Sequence, residues 1–325
     1  DVYKRQNKDY INFLSNGKTE RECVSQSEKF ALETGFTKLS DVKTLKAGDR
    51  VYVINKNKNI MLFVIGKKPL REGMRILGAH IDSPRIDLKQ NPLYEKDGFA
   101  LLDTHYYGGI KKYQWVTIPL ALHGVICKKD GTTVHVNIGE DPNDPVLGIG
   151  DLLIHLSQDQ MAKTAAKVIE GENLDVTVGS IPLKGKEKEQ VKANVLRILK
   201  QKYGMEEEDF VSSEIEVVPA GKARSYGLDS SMVASYGQDD RVCAYTSLKA
   251  ILDVKEPEYT SCCILVDKEE IGSVGATGAQ SLFFENTIAR LLEKMNETSF
   301  VAVREAIENS YMLSSDVSAG VDPLF

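Results

Sequence analysis

Short apolar, β-prone runs that end abruptly in acidic or imidazole side chains constrain this chain most strongly. Met74 to Ala79 runs into His80-Ile81-Asp82-Ser83-Pro84, and Cys262 to Val266 runs into Asp267-Lys268-Glu269-Glu270-Ile271-Gly272. Tyr311 to Leu313 leads into Ser314-Ser315-Asp316, and Asp239-Asp240 opens a helical pattern. Runs of this length and composition read as buried strands. In open α/β sheets, sites collect at the C-terminal ends of strands. His, Asp and Glu are also the ligands from which a two-metal hydrolytic centre is built. The pattern therefore couples an α/β fold to metal-assisted hydrolysis.

At 325 residues and 42% hydrophobic content the chain can bury a large core and is expected to form two domains. Residues 20–34 place Cys23, Val24, Ser27, Phe30 and Ala31 on one helical face. Val51 to Ile54 and Met61 to Ile65 flank the polar Asn55-Lys56-Asn57-Lys58-Asn59, a hairpin signal. From about Asn91 the regular strand–helix alternation stops. Thr117 to Cys127 and Thr132 to Ile138 flank Lys128-Lys129-Asp130-Gly131 as a second hairpin, so an inserted β-rich domain is expected. Within it, Lys184 to Lys202 predicts a helix with Val191, Val195, Ile198 and Leu199 on its buried side, and Ser213 to Val218 predicts a strand. The alternating charges of Lys184 to Glu189 read as a solvated helix start. The α/β pattern returns near Ser225. A helix from Asp239 is expected to share Val242, Cys243, Thr246, Ala250 and Ile251 on one face, and a long helix to run through Leu282, Ile288, Leu291, Leu292 and Met295. The expected division is a catalytic domain from 1–90 and 229–325 around an insertion at 91–228.

Net charge is −6 with both signs interspersed, which argues against nucleic acid as a partner. No apolar run approaches the roughly 20 residues needed to span a bilayer. The start, Asp1-Val2-Tyr3-Lys4-Arg5-Gln6, has no signal-peptide core, so no membrane association is expected. Five cysteines without Cys-x-x-Cys spacing, mostly in apolar runs, fit free thiols in a reducing compartment, and a cytoplasmic location is expected. The first residue is not Met, and the chain stops at Val321-Asp322-Pro323-Leu324-Phe325 just past a predicted strand. The expectation is a C-terminally truncated chain.

His80 can offer one ring nitrogen to a metal while Asp82, two residues on, holds the other. Asp239-Asp240 can cap the following helix or bridge two cations, since two divalent ions a few Å apart need a shared anion. Adjacent Glu269 and Glu270 repel unless cations or distinct roles separate them, and one can bind metal while its neighbour serves as general base. Asp316 is either the remaining carboxylate ligand or a loop cap. Gly272-Ser273-Val274-Gly275-Ala276-Thr277-Gly278 lacks the Gly-Lys-Ser/Thr ending of a phosphate loop and reads as close backbone packing.

Gly78-Ala79-His80-Ile81-Asp82-Ser83-Pro84, Tyr107-Gly108-Gly109, Gln238-Asp239-Asp240-Arg241, Glu269-Glu270-Ile271-Gly272-Ser273 and Ser314-Ser315-Asp316 together resemble the M18 metalloaminopeptidases of the aspartyl aminopeptidase type. The resemblance runs from about residue 20 to the end, in consistent order. It implies an α/β/α metallopeptidase catalytic domain with an inserted dimerisation domain and a dodecamer whose active sites face an inner chamber. It implies two zinc ions, with cobalt or manganese as alternatives: His80 and Asp316 on one, Glu270 on the other and Asp239 bridging. Glu269 would be the general base, Asp82 the partner of His80, and His155 a substrate-site residue reaching a neighbouring subunit. The resemblance further implies a cis peptide between Asp239 and Asp240, and peptide substrates with acidic N-terminal residues. Rival expectations are a related metal-dependent carboxypeptidase or deacylase, or a non-catalytic assembly protein of the same fold. One position departs from the pattern. The family's second zinc takes a final histidine near the C-terminus, whereas His80, His105, His123, His135 and His155 all precede residue 156. The chain as given is therefore expected to be impaired.

Overall fold

The computed structural model describes residues 2–325, which fall into two compact units: the segment through Ser83 together with Ala223–Phe325, and Pro84–Lys222. The first unit begins with helices α1 (Val2–Asn16) and α2 (Glu20–Glu33). A capping box starts α2: the Thr19 hydroxyl accepts the Glu22 N–H, and the Glu22 carboxylate accepts the Thr19 N–H, both at 3.2 Å. Such a cap is worth about 1 kcal/mol. Cys23, Val24, Ser27 and Ala31 form the buried face of α2, with Phe30 packed beside them. Strands β1 (Thr37–Lys38), β2 (Arg50–Asn55), β3 (Asn59–Val64) and β4 (Met74–His80) follow, with β2 and β3 as the expected antiparallel hairpin.

The second unit contains β5 (Arg85–Lys96), β6 (Phe99–Tyr107), β7 (Leu120–Cys127), β8 (Thr133–Ile138), the single-turn helices α3 (Gln158–Met161) and α4 (Ala165–Val168), β9 (Val176–Gly179), helix α5 (Gln190–Tyr203) and β10 (Ser213–Pro219). Its antiparallel sheet has the order β8-β7-β10-β5-β6-β9. The compact unit starts at Pro84, and the change of sequence pattern near Asn91 coincides with a register shift between Leu88 and Leu93 inside β5. Helix α5 starts six residues later than the sequence predicts, because Gly185 and Glu189 take positive φ and interrupt the turn. Val191 and Val195 are buried as expected, whereas Ile198 is exposed.

The first unit resumes with a two-stranded ribbon, β11 (Arg224–Tyr226) and β12 (Met232–Ala234), then α6 (Gln238–Asp253), β13 (Thr260–Val266), α7 (Phe283–Lys294), α8 (Phe300–Glu308) and β14 (Tyr311–Ser314). The sheet order is β1-β2-β3-β13-β4-β14, with β13 and β14 both parallel to β4. Strand alternation splits the core. Ile60, Leu62, Val64, Cys263 and Leu265 face α2 and α6 through Val24, Ala31, Leu248 and Ile251. Met61, Phe63, Met74, Ile76, Cys262 and Ile264 face α7 and α8 through Ile288, Leu291, Leu292, Ala302 and Ala306. The result is a three-layer α/β/α unit. The buried face of α6 is Ala244, Tyr245, Leu248, Ile251 and Leu252; of the expected stripe Ile251 is buried, Val242 and Cys243 are part-buried, and Thr246 and Ala250 are exposed. Asp239 and Asp240 lie outside helical φ/ψ, so the helical period cannot be counted from them. No helix among the described residues is long and apolar enough to cross a membrane.

Candidate metal centre

β4, β13 and the start of α6 converge with β14 at one rim of the first unit's sheet. His80 pairs in register with Val266, and Gly78 with Ser314, so the chain leaves three adjacent strands side by side. His80 is buried, and its Nδ1 faces the Asp82 carbonyl oxygen at 2.9 Å and the Asp82 carboxylate at 3.2 Å. Both are acceptors, so Nδ1 carries a proton and Nε2 is the ring nitrogen left to face outward. The fully buried Asp82 carboxylate also accepts the backbone N–H of Glu269 at 3.2 Å and of Glu270 at 3.1 Å. One side chain thus orients the imidazole and pins the Glu pair.

Acidic oxygens surround Nε2: Asp239 at 3.2 Å, Glu269 at 3.8 Å and Asp316 at 3.9 Å. Two groups of three could hold a metal among the described residues. They are His80 with Asp240 and Asp316, and His80 with Asp239 and Glu270, the ligand atoms of each within 4.8 Å of one another. The Asp239–Asp240 peptide is cis. Asp240 is fully buried, and neither carboxylate oxygen accepts a hydrogen bond from nitrogen or oxygen. A carboxylate desolvated in this way is costly unless a cation faces it. Imidazole nitrogen and carboxylate oxygen are both zinc ligands, so the donor set fits that ion.

The protonation pattern agrees. Burial pushes the Asp240 carboxyl up to about 6, against the Cys243 thiol and His80. Burial, then the Asp239 carboxylate, pushes Glu270 up to about 7. Burial disfavours the charged imidazole, but the hydrogen bond and charge of Asp82, with Asp240 adding to them, carry His80 up to about 9. Burial and crowding of like charges thus favour the protonated form of both carboxyls.

His80, Asp82, Asp239, Glu269, Glu270 and Asp316 therefore meet at one place. His155 lies in the other unit, exposed in the short helix Ile154–Leu156. Asp240 was not singled out as a ligand from sequence, although the Asp pair itself was the available signal. The pair does not cap α6 with its side chains, since Gly237 in left-handed conformation occupies the cap. The glycine-rich stretch after Glu270 packs closely: a Cβ on Gly278 would meet the Ser273 carbonyl oxygen at 2.0 Å.

Residues 13–325 match the family model described as aminopeptidase I zinc metalloprotease (M18). The chain belongs to the M18 family of zinc metalloaminopeptidases. It is 60% identical over 319 residues to the protein named probable M18 family aminopeptidase 1 of Clostridium acetobutylicum, covering 97% of this chain and 69% of that protein. The crystal structure of the M18 aminopeptidase from Thermotoga maritima superposes with a TM-score of 0.95 at 45% identity, covering 100% of this chain and 71% of that one. Aminopeptidase I of Clostridium acetobutylicum superposes at 0.89 with 57% identity, covering 97% and 69%. The mixed α/β architecture is that of known M18 aminopeptidases, and the chain is a zinc-dependent peptidase of this family.

Proposed function

We propose that this M18 chain is a dinuclear zinc aminopeptidase that removes the N-terminal residue of peptides, with acidic residues preferred as its motifs' resemblance to the aspartyl type suggests. The observation that carries this reading is the ring of carboxylates around His80 Nε2, backed by Asp82 on the opposite ring nitrogen. His80, Asp239, Glu270 and Asp316 are the residues that would hold the metal. Asp240, with both oxygens buried and no nitrogen or oxygen donor on either, is a further one.

When bound, zinc supplies Lewis-acid polarisation of the scissile carbonyl and acidifies water. Glu269, whose side chain is half-exposed beside the ligands, takes the proton of the attacking water and returns it to the leaving amine. Asp82 keeps the proton on His80 Nδ1 and fixes the Glu269 and Glu270 backbone, so that base and ligand keep their spacing. Recognition of a free α-amino group by the acidic rim would make the enzyme an exopeptidase.

The insertion, expected at 91–228, is proposed as the subunit-contact domain of a homo-oligomer, a dodecamer by resemblance. Exposed Leu152, Leu153, Ile154 and Leu156 in the second unit supply apolar surface for such contacts. His155, among them, is proposed to reach a neighbour's substrate. Free thiols at all five cysteines support a cytoplasmic setting.

The test is a panel of aminoacyl-peptide substrates, free and N-acetylated, assayed with zinc, cobalt, manganese and after chelation. Release of free N-terminal residues that chelation abolishes is the expected result. Cleavage of blocked substrates instead would indicate a deacylase or carboxypeptidase, and no turnover with any metal would indicate an assembly protein. Light scattering of the same preparation tests the oligomer.

A further inference from the structure

A buried charged cluster fastens the loop after β13 from beneath, and the reaction described above gives it no role. Asp267, just before Lys268-Glu269-Glu270, is fully buried. Its Oδ2 accepts the Thr277 hydroxyl at 2.6 Å and lies 4.0 Å from Nζ of Lys58, itself 6% exposed. The same Nζ is 2.9 Å from Oε1 of the buried Glu20 in the first turn of α2. Lysine is seldom buried, and desolvating ions costs several kcal/mol each before pairing. Apolar packing would serve a purely structural purpose at least as well.

The arrangement instead locates a segment. Lys58 sits in the turn of the β2–β3 hairpin, and its neighbours hold the far end of the same loop. Asn55 Nδ2 donates to the Ala276 carbonyl at 2.9 Å, and Asn59 Nδ2 donates to the Thr277 carbonyl. Lys58 therefore faces the start of the loop while Asn55 and Asn59 grip its end. Between them, Lys268 and Gly272 take left-handed conformations, closed by Ser273 N–H donating to the Lys268 carbonyl at 2.7 Å. The Glu pair is carried on this doubly clamped stretch.

We propose that Lys58 is a positioning residue for the Glu269-Glu270 pair, acting through Asp267 and Thr277, so that turnover and zinc affinity both depend on a lysine outside the ligand set. This rests on the base and ligand roles proposed for Glu269 and Glu270. Supporting groups of this kind matter because a displacement of about 1 Å can cost about 100-fold in rate, and loss of an outer partner about 10–100-fold in metal affinity.

The experiment compares Lys58→Met, Lys58→Arg and Thr277→Val in the zinc-loaded protein, measuring kcat, KM, zinc affinity by chelator competition, and melting temperature. The expected result for Lys58→Met is a kcat lower by about 10–100-fold with KM little changed and zinc bound about 10–100-fold more weakly, both largely restored by Lys58→Arg. If Lys58→Met does not fold, Thr277→Val carries the test. It removes the 2.6 Å bond and leaves the charges paired, and should show the same split at about 10-fold. Folded variants that melt lower yet keep parental kcat and zinc affinity would overturn the proposal, leaving the cluster a structural one. Glu269→Gln is run in parallel. Should it keep its turnover, the base assignment fails, while the zinc affinity of Lys58→Met still reports on the hold over Glu270.

Discussion

β13 and β14 flank β4 in the same direction and both end in acidic residues, yet they hold those residues by different means. β13 lies inside the sheet: Cys262, Cys263 and Leu265 are buried, and the Glu amides beyond it are tied to Asp82. β14 is the edge strand. Tyr311, Met312 and Leu313 are each more than half exposed, and Asp316 is half-exposed with its carboxylate accepting the adjacent Val317 N–H. Its tie to the sheet is the backbone, where Ser315 N–H donates to the Gly78 carbonyl at 2.8 Å. One carboxylate group is placed by packing and the other by strand register.

The largest test of this contrast is Glu269→Gln on the packed side. Turnover should fall about 10²–10⁴-fold while zinc content and melting temperature stay at parental values. Near-normal turnover, measured with metal analysis on the same sample, would remove Glu269 as the base.

Core against edge comes next. Leu265→Ala should cost about 2–5 kcal/mol in urea unfolding, and Leu313→Ala within about 0.5 kcal/mol. Equal losses would mean that the edge strand is covered in solution.

Asp82→Asn should weaken zinc by about 10–100-fold and also destabilise the metal-free protein by about 1–3 kcal/mol, because the two Glu amides lose a charged acceptor. Asp316→Asn should weaken zinc without that second loss. If both variants unfold alike in the metal-free state, the comparison between the strands fails.

The smallest effect is in pH. Asp240 and Glu270 have folded values raised above the ordinary carboxylate, so the folded state binds their protons more tightly, and their contribution to metal-free stability falls as pH rises toward about 6 and 7. His80, raised to about 9, contributes stability that is present below its unfolded value and lost as pH rises through about 9. Zinc must displace these protons. Its apparent affinity should therefore tighten between pH 6 and 9, by up to about tenfold per pH unit for each proton displaced. Competition titrations that stay flat across that range would contradict the protonation pattern.

Strand ends carrying His80, the Glu pair and Asp316 were legible because apolar runs stop abruptly at them. What escaped was set by tertiary contact. Asp82 meets the Glu amides across most of the chain, and no local pattern records that bond. Arg241, almost fully buried, donates from Nε to the Ile81 carbonyl and from Nη2 to that of Lys18, contacts that its place in the Gln238-Asp239-Asp240-Arg241 motif does not reveal. The polar Asn55 to Asn59 run announced its hairpin correctly, but the same polarity hid the burial of Lys58 and Asn59. On α6 the expected and buried faces share Ile251 but differ at Thr246 and Ala250, because two non-helical residues precede the regular period.

The strand order also has a consequence for synthesis. β4 ends at His80, and both of its sheet neighbours, β13 and β14, lie beyond the second unit, β13 beginning only at Thr260. About 180 residues must be made in between, roughly 10–40 s at about 5–20 residues per second. During that interval β2 and β3 can pair with each other, whereas β4 has no partner strand on either side. The nascent chain therefore carries an unpaired strand with Met74, Ile76 and Ala79 waiting for cover, a state open to pairing with other chains and to capture by chaperones until the sheet closes around it.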